Sequence, residues 1–201
     1  TRVEWTVIGD TGEVIGKGTT NFEQAPAGTP LTVEWTQDKG TPIRIDLKGF
    51  DASNTFASLE LSPWWIEVEH DEVHFPSGSA EILKEEAPKL DATYAKLSEA
   101  VARYGKLVKI NLYVAGYTDT VGSREANHDL SLRRARAIGE YFKKKGFAFP
   151  IKIQGFGEDV LAVATPDETD NQLNRRAIYI LGSDMAPQSG QITRNNWESI
   201  R

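Results

Sequence analysis

Apolar residues recur along this chain with two different periods, and the change falls near residue 64. Up to that point they come in short runs, at 3–8, 13–17, 31–36, 43–47 and 56–61. Turn-forming clusters such as Gly9-Asp10-Thr11-Gly12 and Asp38-Lys39-Gly40 separate the runs. Strands spaced about 10 to 12 residues apart predict a small β-sandwich over 1–64. Trp5 and Trp35, each in a Glu-Trp-Thr context, read as cross-strand packing rather than a sugar platform.

After Ser62-Pro63-Trp64-Trp65 the order becomes strand, helix, strand, helix, strand, strand. Segments 66–69 and 73–75 are extended, with a slip in phase across His70-Asp71-Glu72. Leu83, Ala87, Leu90, Tyr94, Leu97, Val101 and Tyr104 then recur in steps of four and three, a helical stripe. Pro88 places the start of regular helix close to it, because proline is tolerated where the amide has no helical partner. Residues 107–114 form a buried strand ending at Ala115-Gly116. Leu130, Ala135, Ile138 and Phe142 mark a second helix stopped by Gly146, and strands follow at 149–154 and 177–181. The predicted fold class is a two-domain α+β protein. Its β-sandwich (1–64) precedes a domain at 65–182 with helices packed on a mixed sheet. The C-terminal tail, 183–201, has no period, so disorder and docking through Ile192 and Trp197 both remain open.

The richest chemistry lies at 116–137, GYTDTVGSREANHDLSLRRARA. Asp119 sits at the carboxyl end of a strand. Asn127, Ser131 and Arg134 stand at i, i+4 and i+7 and share one side of the helix. Arg133 and Arg136 point elsewhere and are expected to be dispensable. One carboxylate, one guanidinium and one amide around a small volume suit a ligand carrying both an ammonium and a carboxylate. The same residues also suit a structural ion pair, or an Asp that bonds its own turn.

Composition narrows the field. A net charge of −6 and a pI near 5.2 argue against nucleic acid as partner. With no cysteine there is no disulfide, thiol nucleophile or thiolate metal site. No run approaches 18 apolar residues, so membrane attachment is expected only through a tether outside this sequence. His70 and His74 lie on an extended run where four residues span ~13 Å, too far to share a metal. Neither metal nor cofactor is expected.

Several motifs occur together in order. They are Val73-His74-Phe75, Gly78-Ser79-Ala80, Gly116-Tyr117-Thr118-Asp119 with Gly122, Asn127, Leu130-Ser131, Arg134-Ala135, Gly155-Phe156-Gly157-Glu158 and Asn174-Arg175-Arg176. Over about residues 66–182 this set resembles the OmpA-like peptidoglycan-binding domain of OmpA proteins, peptidoglycan-associated lipoproteins and the flagellar stator protein. The resemblance implies that Asp119 and Arg134 hold the amino and carboxylate groups of diaminopimelate in the peptidoglycan stem peptide. It further implies that Asn127 assists and that Arg176 lines the pocket, with Thr118 and Gly122 completing the ligand-binding set. Ala177 and Tyr179 depart from the family's usual Val and Glu.

The expected function is therefore noncatalytic binding of peptidoglycan, anchoring an envelope protein in the periplasm or outer membrane, or at the cell surface, of a Gram-negative bacterium. An enzyme is not expected, because arginines beside Asp119 favour ion binding over proton donation, and no nucleophile elbow is present. The alternative is an envelope scaffold whose N-terminal β-domain binds a protein partner.

Overall fold

A computed structural model describes residues 1–23, 25–26, 28–184, 188–193 and 196–200. The chain divides into two compact units, one comprising 1–64 with 104–109, the other 65–103 with 110–201.

The first unit is built on four antiparallel strands, β1 (Arg2–Gly9), β2 (Val14–Asn21), β3 (Pro42–Phe50) and β4 (Phe56–Leu61), in the order β2-β1-β3-β4. The expected β-sandwich is not what forms: a sandwich needs two sheets, and the described residues of this unit contain one. Residues 31–36 pair with no strand. Leu31, Val33 and Trp35 instead lie over the sheet's apolar face, where they line a groove together with Trp5 and Leu47. Their alternation is that of a cover. Trp35 lies so close to Gly16 of β2 that a Cβ there would stand 2.3 Å from the indole Nε1.

The second unit runs β5 (Trp65–Glu67), α1 (Ala87–Tyr104), β6 (Asn111–Tyr117), α2 (Arg124–Lys144), β7 (Ile151–Gly157), β8 (Ala177–Gly182) and β9 (Glu198–Ser199). The sheet order is β5-β8-β6-β7-β9; β6 and β7 are parallel and the other pairs antiparallel. Residues 73–75 carry no strand. α2 lies on one face of the sheet; Leu112, Val114, Ile153 and Tyr179 of the strands, Leu90 and Leu97 of α1 and Ile138 and Phe142 of α2 are all buried, and the Phe142 ring meets Tyr179 edge-on at 5.6 Å.

The other face of the sheet is covered by the segment expected to be a tail. Ile192 is 1% exposed in a cluster with Tyr113, Tyr117, Phe156 and Ile178, and Trp197 packs against it. Tyr113 and Tyr117 donate their hydroxyls to the Ser183 and Gln191 carbonyls at 2.5 and 2.6 Å, and β9 pairs with β7. Residues 185–187, 194, 195 and 201 of that segment lie outside the described residues. Covered on both faces, β6 is buried at every position, which explains its nearly unbroken apolar run.

Caps set the length of α2. Ser123 accepts from the Ala126 amide at its start, and its end is a Schellman turn. There Gly146, at φ 100°, donates to Lys143 O and Phe147 donates to Phe142 O. Ser123→Ala is expected to cost about 1 kcal/mol in urea denaturation. An unchanged midpoint would show that the cap contributes nothing.

Candidate functional site

Two glycines bring α2 down onto the sheet. Gly116 of β6 and Gly155 of β7 are register partners. A Cβ at Gly116 would stand 2.3 Å from Ser131 O, and one at Gly155 would stand 2.6 Å from Leu132 N. Gly116 therefore does not end the strand, as the sequence suggested; it sits within β6, where only hydrogen lets the Ser131 backbone approach. Ser131 is spent on this contact, its Oγ donating to His128 O and accepting from Gly157 N. It does not face a ligand.

The loop after β6 is tied on two sides. Thr118 donates its amide to Gly157 O. Thr120 Oγ1 donates to Pro166 O at 2.7 Å and accepts from the Thr169 amide at 3.1 Å. Asn127 uses its Nδ2 on Asp119 O (3.3 Å), Val121 O (3.1 Å) and Glu158 Oε2 (2.5 Å). Its donors thus hold the loop, leaving the amide carbonyl as its free capacity. The Gly122 amide donates to Glu168 Oε2 at 3.2 Å and is not free for a ligand.

Asp119 is only 7% exposed. Its Oδ2 accepts from Arg175 Nη1, which also donates to Asp170 Oδ1 at 2.7 Å. Its Oδ1 receives only a long contact, 3.4 Å, from the Val121 amide. Arg134, likewise 7% exposed, does not touch Asp119. Its Nε donates to Ser79 O at 3.0 Å and its Nη2 to Pro76 O at 3.4 Å, with the guanidinium 5.2 Å from the Phe75 ring centre. Two of five N–H donors are thereby used and three remain. Burial and then the nearby Arg175 charge lower the pKa of Arg134 from its ordinary value. That of Arg175 is raised, first by the bond to Asp170 and then by Asp119, against the effect of burial.

Thr118, Asp119, Asn127 and Arg134 line one cavity of about 420 Å³, with Phe75 at its wall. The Thr118 hydroxyl is buried without a partner among the described residues. Arg133 also lines the cavity, although it pairs with Asp129 at 2.8 Å. Its long side chain reaches the rim in spite of the helical phase that turned it away, which corrects the expectation that it points elsewhere. Arg136 does lie apart, bonded to Glu198 at 2.6 Å.

Arg176 is not part of this cavity. It lies over the Tyr117 ring at 4.0 Å, donates to Val160 O, and lines a neighbouring cavity of about 310 Å³ that also touches Arg134 and Arg175. The Asn174-Arg175-Arg176 motif thus contributes Arg175 to the wall of the larger cavity, where the sequence led one to expect Arg176. The available signal was local: adjacent residues leading into an extended strand turn to different partners.

The mixed five-stranded sheet, the two helices and the polar loop at the foot of α2 define an α+β domain. Residues 74–175 match the family model described as the OmpA family, and the chain belongs to that family. It is 34% identical over 170 residues to outer membrane protein A of Escherichia fergusonii, covering 75% of this chain and 67% of that one. It is 34% identical over 168 residues to outer membrane protein A of Shigella flexneri, covering 75% of this chain and 46% of that one. The chain thus spans about half the length of the Shigella relative. Among solved structures it is similar to the peptidoglycan-associated lipoprotein of Burkholderia pseudomallei, with TM-score 0.44, 20% identity and coverage of 56% of this chain and 90% of that chain. It is also similar to the periplasmic domain of Helicobacter pylori MotB, with TM-score 0.45, 12% identity and coverage of 60% and 83%. Among the described residues no helix is long and apolar enough to cross a membrane.

Proposed function

We propose that the second unit binds the diaminopimelate-bearing stem peptide of peptidoglycan without catalysis and so anchors an envelope protein to the cell wall of a Gram-negative bacterium. The observation that supports this most is that Asp119 and Arg134 line one cavity without pairing with each other. An ammonium entering there meets Asp119 Oδ1, which has lone pairs to spare, and the Asn127 carbonyl. A carboxylate meets the unused N–H groups of Arg134. Arg175 holds the other Asp119 oxygen and fixes its orientation. The two carboxylates at this cavity, Asp119 and Asp170, share one guanidinium, an environment that suits ion binding rather than proton transfer.

In a sacculus pulldown, Asp119→Ala and Arg134→Ala should each weaken retention by at least about tenfold, since a charge-assisted hydrogen bond is worth ~1.5 to 3 kcal/mol. Retention of both variants at the wild-type level would sink the assignment, provided circular dichroism shows them folded.

A further inference from the structure

The two edges of the first unit's sheet are unlike. β2 carries Lys17 and two glycines, Gly16 and Gly18, and its register with β1 shifts between Val7 and Ile8. These features discourage pairing with a foreign strand. β4 reads FASLEL, without lysine, proline or glycine, and all six residues are exposed. Its pairing with β3 runs unbroken from Ile45–Leu61 to Phe50–Phe56. The outer edge of β4 is therefore a straight, unprotected ladder.

Its two faces differ as well. Ala57, Leu59 and Leu61 border the sheet's apolar groove of about 530 Å³, with Leu59 54% and Leu61 42% exposed. On the opposite face stand Ser58 and Glu60, and Phe56 lies under the Lys48 ammonium at 3.8 Å.

We propose that β4 is a self-association edge, pairing antiparallel with β4 of a second copy so that Leu59 faces Leu59 across a two-fold axis. The choice of occupant and register follows from the side chains. In any antiparallel pair opposed residues share a face. A two-fold axis at Glu60 would oppose two carboxylates, and like charges directly opposite are destabilising. An axis at Ser58 would set Phe56 against Glu60 and leave Leu61 without a partner. With the axis at Leu59, Ala57 meets Leu61, Ser58 can donate its hydroxyl to Glu60, and no charge meets its like. Two four-stranded sheets then become one of eight strands, with their apolar faces continuous across the seam and Leu59 covered. The ladder is short, so association is expected on the order of micromolar to tens of micromolar.

Sedimentation velocity across a concentration series tests this on the whole chain. Wild type should move from monomer to dimer, while Leu59→Lys and Leu59→Glu should each stay monomeric. Because residue 59 faces itself, mixing those two variants in equal amounts should restore a dimer. The chain has no native cysteine, so Leu59→Cys under mild oxidation should give a covalent dimer. Wild type that remains monomeric throughout would overturn the proposal and leave the edge to a foreign strand. So would charge variants that dimerise singly as wild type does, or a mixture that stays monomeric while Leu59→Cys fails to cross-link.

Discussion

Gly155→Val is expected to destabilise the second unit by about 3 kcal/mol or more, and Gly116→Val to do nearly the same. The reason is geometric. At Gly155 a Cβ would lie 2.6 Å from both Leu132 N and Ser131 Oγ and 2.7 Å from His128 O; at Gly116 it would lie 2.3 Å from Ser131 O. Mostly these neighbours are backbone atoms of a capped 21-residue helix. No flexible side chain can swing away, so α2 must lift from the sheet or the sheet must bend. Gly49→Val in β3 provides the control: nothing lies within 4 Å of a Cβ there, and valine suits a strand. Urea denaturation of the three variants should separate the first two from the third. Equal midpoints for all would mean that α2 is not seated by these glycines.

The same glycines show how much of the fold could be read in advance. Helical phase placed Leu90, Leu97, Ile138 and Phe142 on the buried side of their helices, and Pro88 and Gly146 marked ends that the structure places at Ala87 and Lys144. A strand's own composition does not reveal whether a glycine ends it or lies inside it beneath a helix, and β6 runs on to Tyr117, past its expected end. The N-terminal unit departs from the expected sandwich for a related reason. Alternation records that one side of a segment faces apolar surroundings. Residues 31–36 satisfy that by lying across a sheet as readily as by joining one. Ile192 and Trp197 have no neighbours of like period, and their burial depends on a sheet face built from residues far away in sequence.

At the candidate site, the placing of Asp119 and Arg134 beside one cavity was legible because the helix carries its own ruler. Their partners were not. Asp119 pairs with Arg175, 56 residues away, and Arg134 bonds backbone carbonyls at 76 and 79. Carbonyl acceptors have no residue identity and leave no trace in a sequence. The Gly78-Ser79-Ala80 motif gains a physical role in consequence: its loop supplies one of the oxygens that hold Arg134.

A stem peptide carrying diaminopimelate, its main-chain amine and carboxyl both in peptide linkage, should bind the wild-type protein at least about tenfold more tightly than the same peptide carrying lysine, and Arg134→Ala should abolish the difference. The two peptides share the side-chain ammonium and differ only in the distal carboxylate beside it. If Arg134 receives that carboxylate on its spare N–H groups, the contrast reports two charge-assisted bonds of ~1.5 to 3 kcal/mol each, less the costs of association. Arg134→Lys should recover little, because one ammonium cannot both hold the Ser79 and Pro76 carbonyls and present a planar fork to the ligand. Asp119→Ala should weaken both ligands alike, since both present the ammonium. The affinities of wild type and Arg134→Ala for the two ligands, four in all, form a cycle that isolates the pairing from any general loss of stability. Discrimination that survives in Arg134→Ala would move the carboxylate elsewhere, with Arg175 the first alternative because it lines the same cavity.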